Sequence, residues 1–194
     1  MSSSVDFEEI ECKFLGVDVA ALKHKLDQLK AELQFSRVFR RTVFDYPDLR
    51  LNKDNSWLRV RDEGDRTTIS FKQRFGVSGQ GNDAGIREIE IVADDFDQAN
   101  NLFHAIGMKP KFYEENRRTQ YLFDGVEICI DEWPLIPPYV EIEGQSWEAV
   151  LATAERLGFD PEKRVIYSTM QVYANYGIDE SSYQILTFDK QVKK

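Results

Sequence analysis

Glu9, Glu11 and Lys13 stand at alternate positions near the start of the chain. In a strand, alternate side chains share a face. Two carboxylates and an ammonium would then point one way, and Ile10, Cys12 and Phe14 the other. The pattern recurs as Glu88/Glu90, Glu141/Glu143, Arg59/Arg61 and Lys72/Arg74. Carboxylates held that close repel and raise one another's pKa unless a cation sits between them. Guanidinium and ammonium groups held that close call for a polyanion. If both kinds of cluster face one cavity, the guest is a polyanion carrying a divalent metal. Mg2+ fits, because it takes few carboxylates and completes its octahedron with water and phosphate oxygens. A solvated sheet face gives the same alternation. For any single Glu-x-Glu strand that plainer account is the stronger one. Same-sign pairs on several strands together argue against it.

The elements that must position these residues follow from periodicity. Three amphipathic helices are predicted, over 17–35, 94–107 and 146–158. Asp18 and Ser146 serve as N-caps of the first and third, and Gly107 and Gly158 as stops of the second and third. The first stripe is Val19, Leu22, Leu26, Leu29 and Leu33; the second is Phe96, Ala99, Leu102, Phe103 and Ile106. A weaker helix lies within 163–177. Period-two segments predict strands over 40–46, 56–64, 66–75, 87–93, 117–125, 126–133 and 139–144. Phe123-Asp124-Gly125 reads as a tight hairpin turn between two strands. The Gly-rich stretch 76–85 lacks a phosphate-loop ending and reads as a plain hairpin loop. A Glu-x-Glu strand precedes a helix three times, in EIECKFLGVD, REIEIVADD and YVEIEGQS. Closing the sheet into a barrel, polar face inward and helices outside, would supply the cavity.

The 194 residues suit one domain spanning 1–194. A 42 % apolar fraction with thirteen Phe and three Trp builds a core. The net charge of -9 speaks against a nucleic-acid or membrane-surface binder. Cys12 and Cys129, far apart, suggest neither a disulfide framework nor a zinc site, but free thiols of a reducing compartment. With no signal-like start and no apolar run of spanning length, the expected location is the cytoplasm. His24 and His104 fall on helices, away from the charged strands. Trp133 and its prolines shape a connection, Tyr167, Tyr173 and Tyr176 pack in the core, and the basic tail FDKQVKK is expected to fray.

At this point the chain resembles the CYTH, or triphosphate tunnel metalloenzyme, superfamily. Glu9-x-Glu11-x-Lys13 matches its N-terminal signature. LRVR with Arg59 and Arg61, SFK with Lys72, REIE with Glu88 and Glu90, Arg118, and Asp131 leading to Glu141-x-Glu143 follow in family order. Where the family often has Leu-Gly, this chain has Ile136-Pro137. The resemblance implies an α+β fold built on a closed eight-stranded antiparallel barrel with helices outside. It implies Mg2+ or Mn2+ on Glu9, Glu11, Glu141 and Glu143. Triphosphate would be held by Lys13, Arg59, Arg61, Lys72 and Arg118, with Arg74 beside Lys72. Arg117 is the alternative to Arg118, since one residue of register flips the face. Glu88, Glu90 and Asp131 would be further tunnel acids. Glu9, Glu11 and Lys13 would carry catalysis.

The implied function is a metal-dependent enzyme acting on a small-molecule triphosphate: tripolyphosphate, thiamine triphosphate or ATP. Hydrolysis is the leading reaction. A class IV adenylate cyclase, a non-catalytic polyphosphate binder and an inert charged β-barrel are the rivals. A monomer and a homodimer are both compatible with the sequence.

Overall fold

The computed structural model describes residues 10–74 and 86–194. The early residues Met1 to Glu9 and the stretch 75–85, with the Gly-rich loop, lie outside it.

Strand β1 (Ile10–Leu15) leads into helix α1 (Val19–Gln28) and the long strand β2 (Glu32–Asp45). One helical turn, α2 (Arg50–Lys53), precedes β3 (Ser56–Asp62), β4 (Thr67–Arg74) and β5 (Ile86–Ala93). Helix α3 (Phe96–Ala105) is followed by a second long strand, β6 (Lys109–Phe123), then by β7 (Val126–Glu132) and β8 (Tyr139–Gly144). Helices α4 (Trp147–Leu157) and α5 (Thr169–Asn175) and short strands β9 (Tyr183–Leu186) and β10 (Gln191–Lys193) complete the chain.

Backbone hydrogen bonds order the strands β1-β8-β7-β6-β2-β3-β4-β5, with β9 alongside β6 and β10 alongside β9. The registers of β1–β8, β7–β8, β6–β7, β2–β3, β3–β4 and β4–β5 are antiparallel. The α+β architecture is therefore the expected one. The closed barrel is not: β1 and β5 end the path, and among the described residues they do not pair with each other. Alternation reports which face is polar; it carries no information on whether two sheet edges meet.

Contacts divide the chain into two compact units. Among described residues, the first comprises 39–115 and 181–194. Its core gathers Phe44, Val60, Phe96, Ala99 and Met108, with α3 packed against β3. The second comprises 10–38 and 116–180. There Cys12, Phe14, Ile128, Ile130, Val140 and Ile142 supply the apolar sheet face, and Leu22, Leu26, Val150, Ala154 and Leu157 of α1 and α4 cover it.

The caps follow the sequence. Asp18, Asp95 and Ser146 accept the N–H groups of Ala21, Gln98 and Ala149. Ser168 and Gln171 form a capping box that starts α5. Asp124 and Gly125, at φ 51° and 78°, make the two-residue hairpin between β6 and β7. Tyr173 is fully buried and donates to the Pro134 carbonyl at 2.8 Å, as core packing requires.

Three expectations are corrected. The first helix stops at Gln28, not 35: Lys30 turns to φ 57° and the Ala31 N–H returns to the Leu26 carbonyl at 3.0 Å. Leu33 therefore lies on β2, 58 % exposed, because leucine spacing continued past the point where the backbone turned. Leu102 and Ile106 of the α3 stripe are also exposed. The basic tail does not fray. Residues 191–193 pair with β9, and the Thr187 N–H donates to the Lys190 carbonyl at 2.8 Å. No helix among the described residues is long and apolar enough to cross a membrane.

Candidate functional site

In the second unit, register stacks charged residues across three neighbouring strands. Glu11 faces Glu143, and Lys13 faces Glu141 across β1 and β8. Glu141 faces Cys129, and Tyr139 faces Asp131 across β8 and β7. Arg118 faces Asp131 across β6 and β7. One polar face thus holds Glu11, Lys13, Tyr139, Glu141, Glu143, Asp131 and Arg118. Its back is the apolar core, which is why the strands alternate so cleanly.

The Lys13 ammonium bridges Glu11 Oε1 at 2.7 Å and Glu141 Oε2 at 2.9 Å. Arg118 grips Asp131 with Nε to Oδ1 at 2.9 Å and Nη2 to Oδ2 at 2.6 Å. Its Nη2 also reaches Glu141 Oε1 at 3.0 Å. Asn116 Nδ2 adds a 3.3 Å bond to Asp131 Oδ1. Burial works to raise the Glu141 pKa, yet Lys13 and Arg118 hold it far below the usual carboxylate range. Burial works to lower the Lys13 pKa, yet Glu141 and Glu11 hold it well above the ordinary lysine value. Both groups are therefore charged at neutral pH.

Carboxylate oxygens of Glu11, Glu141 and Glu143 lie within 4.8 Å of one another, a group that could hold a metal ion. The donors are all hard oxygens, which suits Mg2+ or Mn2+ rather than a thiophilic metal. Glu141 already bonds a cation through each oxygen.

The first unit carries the basic counterpart. Arg59 faces Ser70, which faces Glu90; Arg61 faces Thr68; Lys72 faces Glu88. Arg41 faces Arg61 across β2 and β3. Arg59 is 8 % exposed, and its Nη2 reaches Ser70 Oγ at 3.3 Å. Glu88 and Glu90 lie 3.7 and 3.9 Å from that nitrogen. Burial first, then the charges of Arg61 and Arg41, push the Arg59 pKa down to about 9. Arg59 Nε and Arg61 Nε are buried donors with no hydrogen-bond partner among the described residues. Arg61 pairs with Glu63, and Lys72 with Glu88 at 2.9 Å. Arg74 lies near the Trp57 ring, 5.9 Å from its centroid.

Sequence reading placed most of these side chains on the face where they are found. Arg118, not Arg117, joins the acidic cluster; Arg117 is half-exposed beside Glu132. Glu88 and Glu90 sit with Lys72 and Arg59 as counter-charges of the basic wall. Glu9 lies outside the described residues. Sequence reading missed Arg41, Glu114, Asn116 and Tyr139. Extending the period-two face of 40–46 would have flagged Arg41. Tyr139 continues the period-two face of Glu141 and Glu143, and Glu114 and Asn116 that of Arg118, so extending those faces would have flagged the other three.

The CYTH domain family matches residues 8–166, and the chain belongs to that family. Solved structures agree on the fold. The PH1012 protein of Pyrococcus horikoshii OT3 superposes with a TM-score of 0.66 at 22 % identity, covering 84 % of this chain and 98 % of that one. A candidate adenylate cyclase from Vibrio parahaemolyticus gives 0.72 at 16 % identity, over 86 % and 98 %. HpAC1 from Hippeastrum, described as having a dominant triphosphatase activity, gives 0.63 at 17 % identity, over 88 % and 96 %. No curated protein matches the chain.

Proposed function

We propose that this protein is a metal-dependent enzyme that hydrolyses the triphosphate group of a small molecule. The observation that carries the reading is Arg59: a buried guanidinium beside two others, with an Nε donor that lacks an acceptor among the described residues. Cations packed so closely are relieved by an anion rich in acceptor oxygens. HpAC1, of similar fold, is described as a triphosphatase, which supports the same direction.

In this reading Arg59, Arg61, Lys72, Arg74 and Arg118 bind phosphate oxygens and offset charge that shifts during transfer. Glu11, Glu141 and Glu143, with Glu9 by family resemblance, would hold Mg2+ or Mn2+. When bound, the metal would supply Lewis acidity at the phosphate. Lys13 bridges the Glu11 and Glu141 carboxylates, so it would fix them and offer positive charge beside the attacking group. Asp131 and Asn116 lock the Arg118 rotamer.

The test is a panel of tripolyphosphate, thiamine triphosphate and ATP, each with Mg2+ or Mn2+. Released phosphate, pyrophosphate and cyclic AMP are scored separately. Phosphate release supports the proposal. Cyclic AMP with pyrophosphate from ATP would replace hydrolysis by cyclisation, and binding without turnover would leave a polyphosphate-binding module. Neither turnover nor a ligand-induced rise in melting temperature would leave an inert charged sheet. Glu11→Gln should abolish metal-dependent turnover while the protein stays folded; full activity in that variant counts against the metal assignment.

A further inference from the structure

We propose that Arg41 is a further phosphate-binding guanidinium and that Glu114 is the residue that positions it. The inference rests on the triphosphate reading above and names a contact of that same site. Arg41 is the direct cross-strand neighbour of Arg61, so the two side chains leave the sheet on one face, side by side. The next position across that row is Thr68 on β4, and the row beside it holds Arg59 and Ser70. Arg41 therefore continues the basic wall by one strand.

Its fixation supports binding rather than mere bracing. Glu114 is 1 % exposed, whereas the Arg41 side chain is 14 % exposed. The acid lies deeper, and the guanidinium lies nearer the surface of the wall. Arg41 aims both Nε, at 2.7 Å, and Nη2, at 2.5 Å, at the single oxygen Oε2. The other oxygen, Oε1, is buried with no hydrogen-bond partner among the described residues. The grip holds the Nε and Nη2 edge of the guanidinium at one carboxylate oxygen. The charge of Arg41 also helps to push the Arg59 pKa down.

The experiment titrates tripolyphosphate into metal-free protein by calorimetry, with melting of each ligand-free variant recorded alongside. Arg41→Lys keeps the charge and loses the fork, and should weaken binding by roughly tenfold or more. Glu114→Gln gives the sharper sign. Deleting a carboxylate near an anion site tightens anion binding if the acid is a bystander. If the acid positions Arg41, the same deletion weakens binding, by about threefold or more. Weaker binding in Glu114→Gln with a cooperative melt supports the proposal even if Arg41→Lys fails to fold. Wild-type or tighter affinity in Glu114→Gln overturns the positioning role, and wild-type affinity in a folded Arg41→Lys overturns the binding role. A wild-type protein that ignores tripolyphosphate overturns the triphosphate reading itself, a failure distinct from the other two.

Discussion

Single residues here carry opposing demands of stability and binding. Thr68 is fully buried and its Oγ1 has no hydrogen-bond partner among the described residues. Removing an unpaired buried hydroxyl without changing shape is favourable. Thr68→Val should raise stability by about 1 kcal/mol in urea titration, and a lower stability would mean the hydroxyl is bonded after all. Cys12 shows the pH side of burial. Its thiol sits in the apolar core, and burial pushes its pKa up from 9.0 to about 11. Between those two values the unfolded chain loses the thiol proton and the folded chain keeps it. Stability is thus full below pH 9 and falls as pH rises towards 11. Cys12→Ala, whatever its cavity cost, should show a shallower decline over that interval than the wild type. Equal slopes would place the titrating group elsewhere.

At the scale of elements, legibility depended on whether a feature is written in side-chain chemistry or in the backbone. Strand faces were legible because an apolar core behind the sheet forces alternation: Glu11 opposite Cys12, Arg59 opposite Val60, Glu141 opposite Ile142. Capped helices were legible too, since Ser146 and Gly158 state both ends of α4. The end of α1 was not, because the residue that turns to positive φ is Lys30, a type that normally continues a helix. The extra length of β2 and β6 was missed for a related reason: Leu33 and the mixed run from Lys109 to Asn116 do not alternate cleanly. Glu114 lies in one of those overlooked stretches, so an unread strand became an unread part of the candidate site, whereas Arg41 lies within the strand read over 40–46, whose polar face was not followed. The backbone account makes its own prediction. Lys30→Gly relieves the left-handed conformation, at some cost in unfolded-state entropy, and should raise the melting temperature slightly, by about 0.5 kcal/mol of stability. A drop would mean that the Lys30 side chain contributes packing.

For the whole molecule, the open question is whether carboxylates in one unit and guanidinium groups in the other serve a single guest. Thermodynamic linkage answers it without reference to how the units sit. Two ligands that bind independent sites stabilise a fold additively, whereas ligands that meet at one guest stabilise each other. Mg2+ alone should raise the melting temperature through Glu11, Glu141 and Glu143, and Glu143→Gln should reduce that shift. Tripolyphosphate alone should raise it through Arg59 and its neighbours, and Arg61→Gln should reduce that one. With both present, the stabilisation should exceed the sum, as coupling of about 1 to 3 kcal/mol would produce. Because Mg2+ binds tripolyphosphate in solution, the sum is computed at matched free concentrations. The excess should vanish in either variant alone, since each removes one end of the coupling. Strict additivity in the wild-type protein would mean two unrelated charged surfaces, and the triphosphate reading would lose its chemical basis.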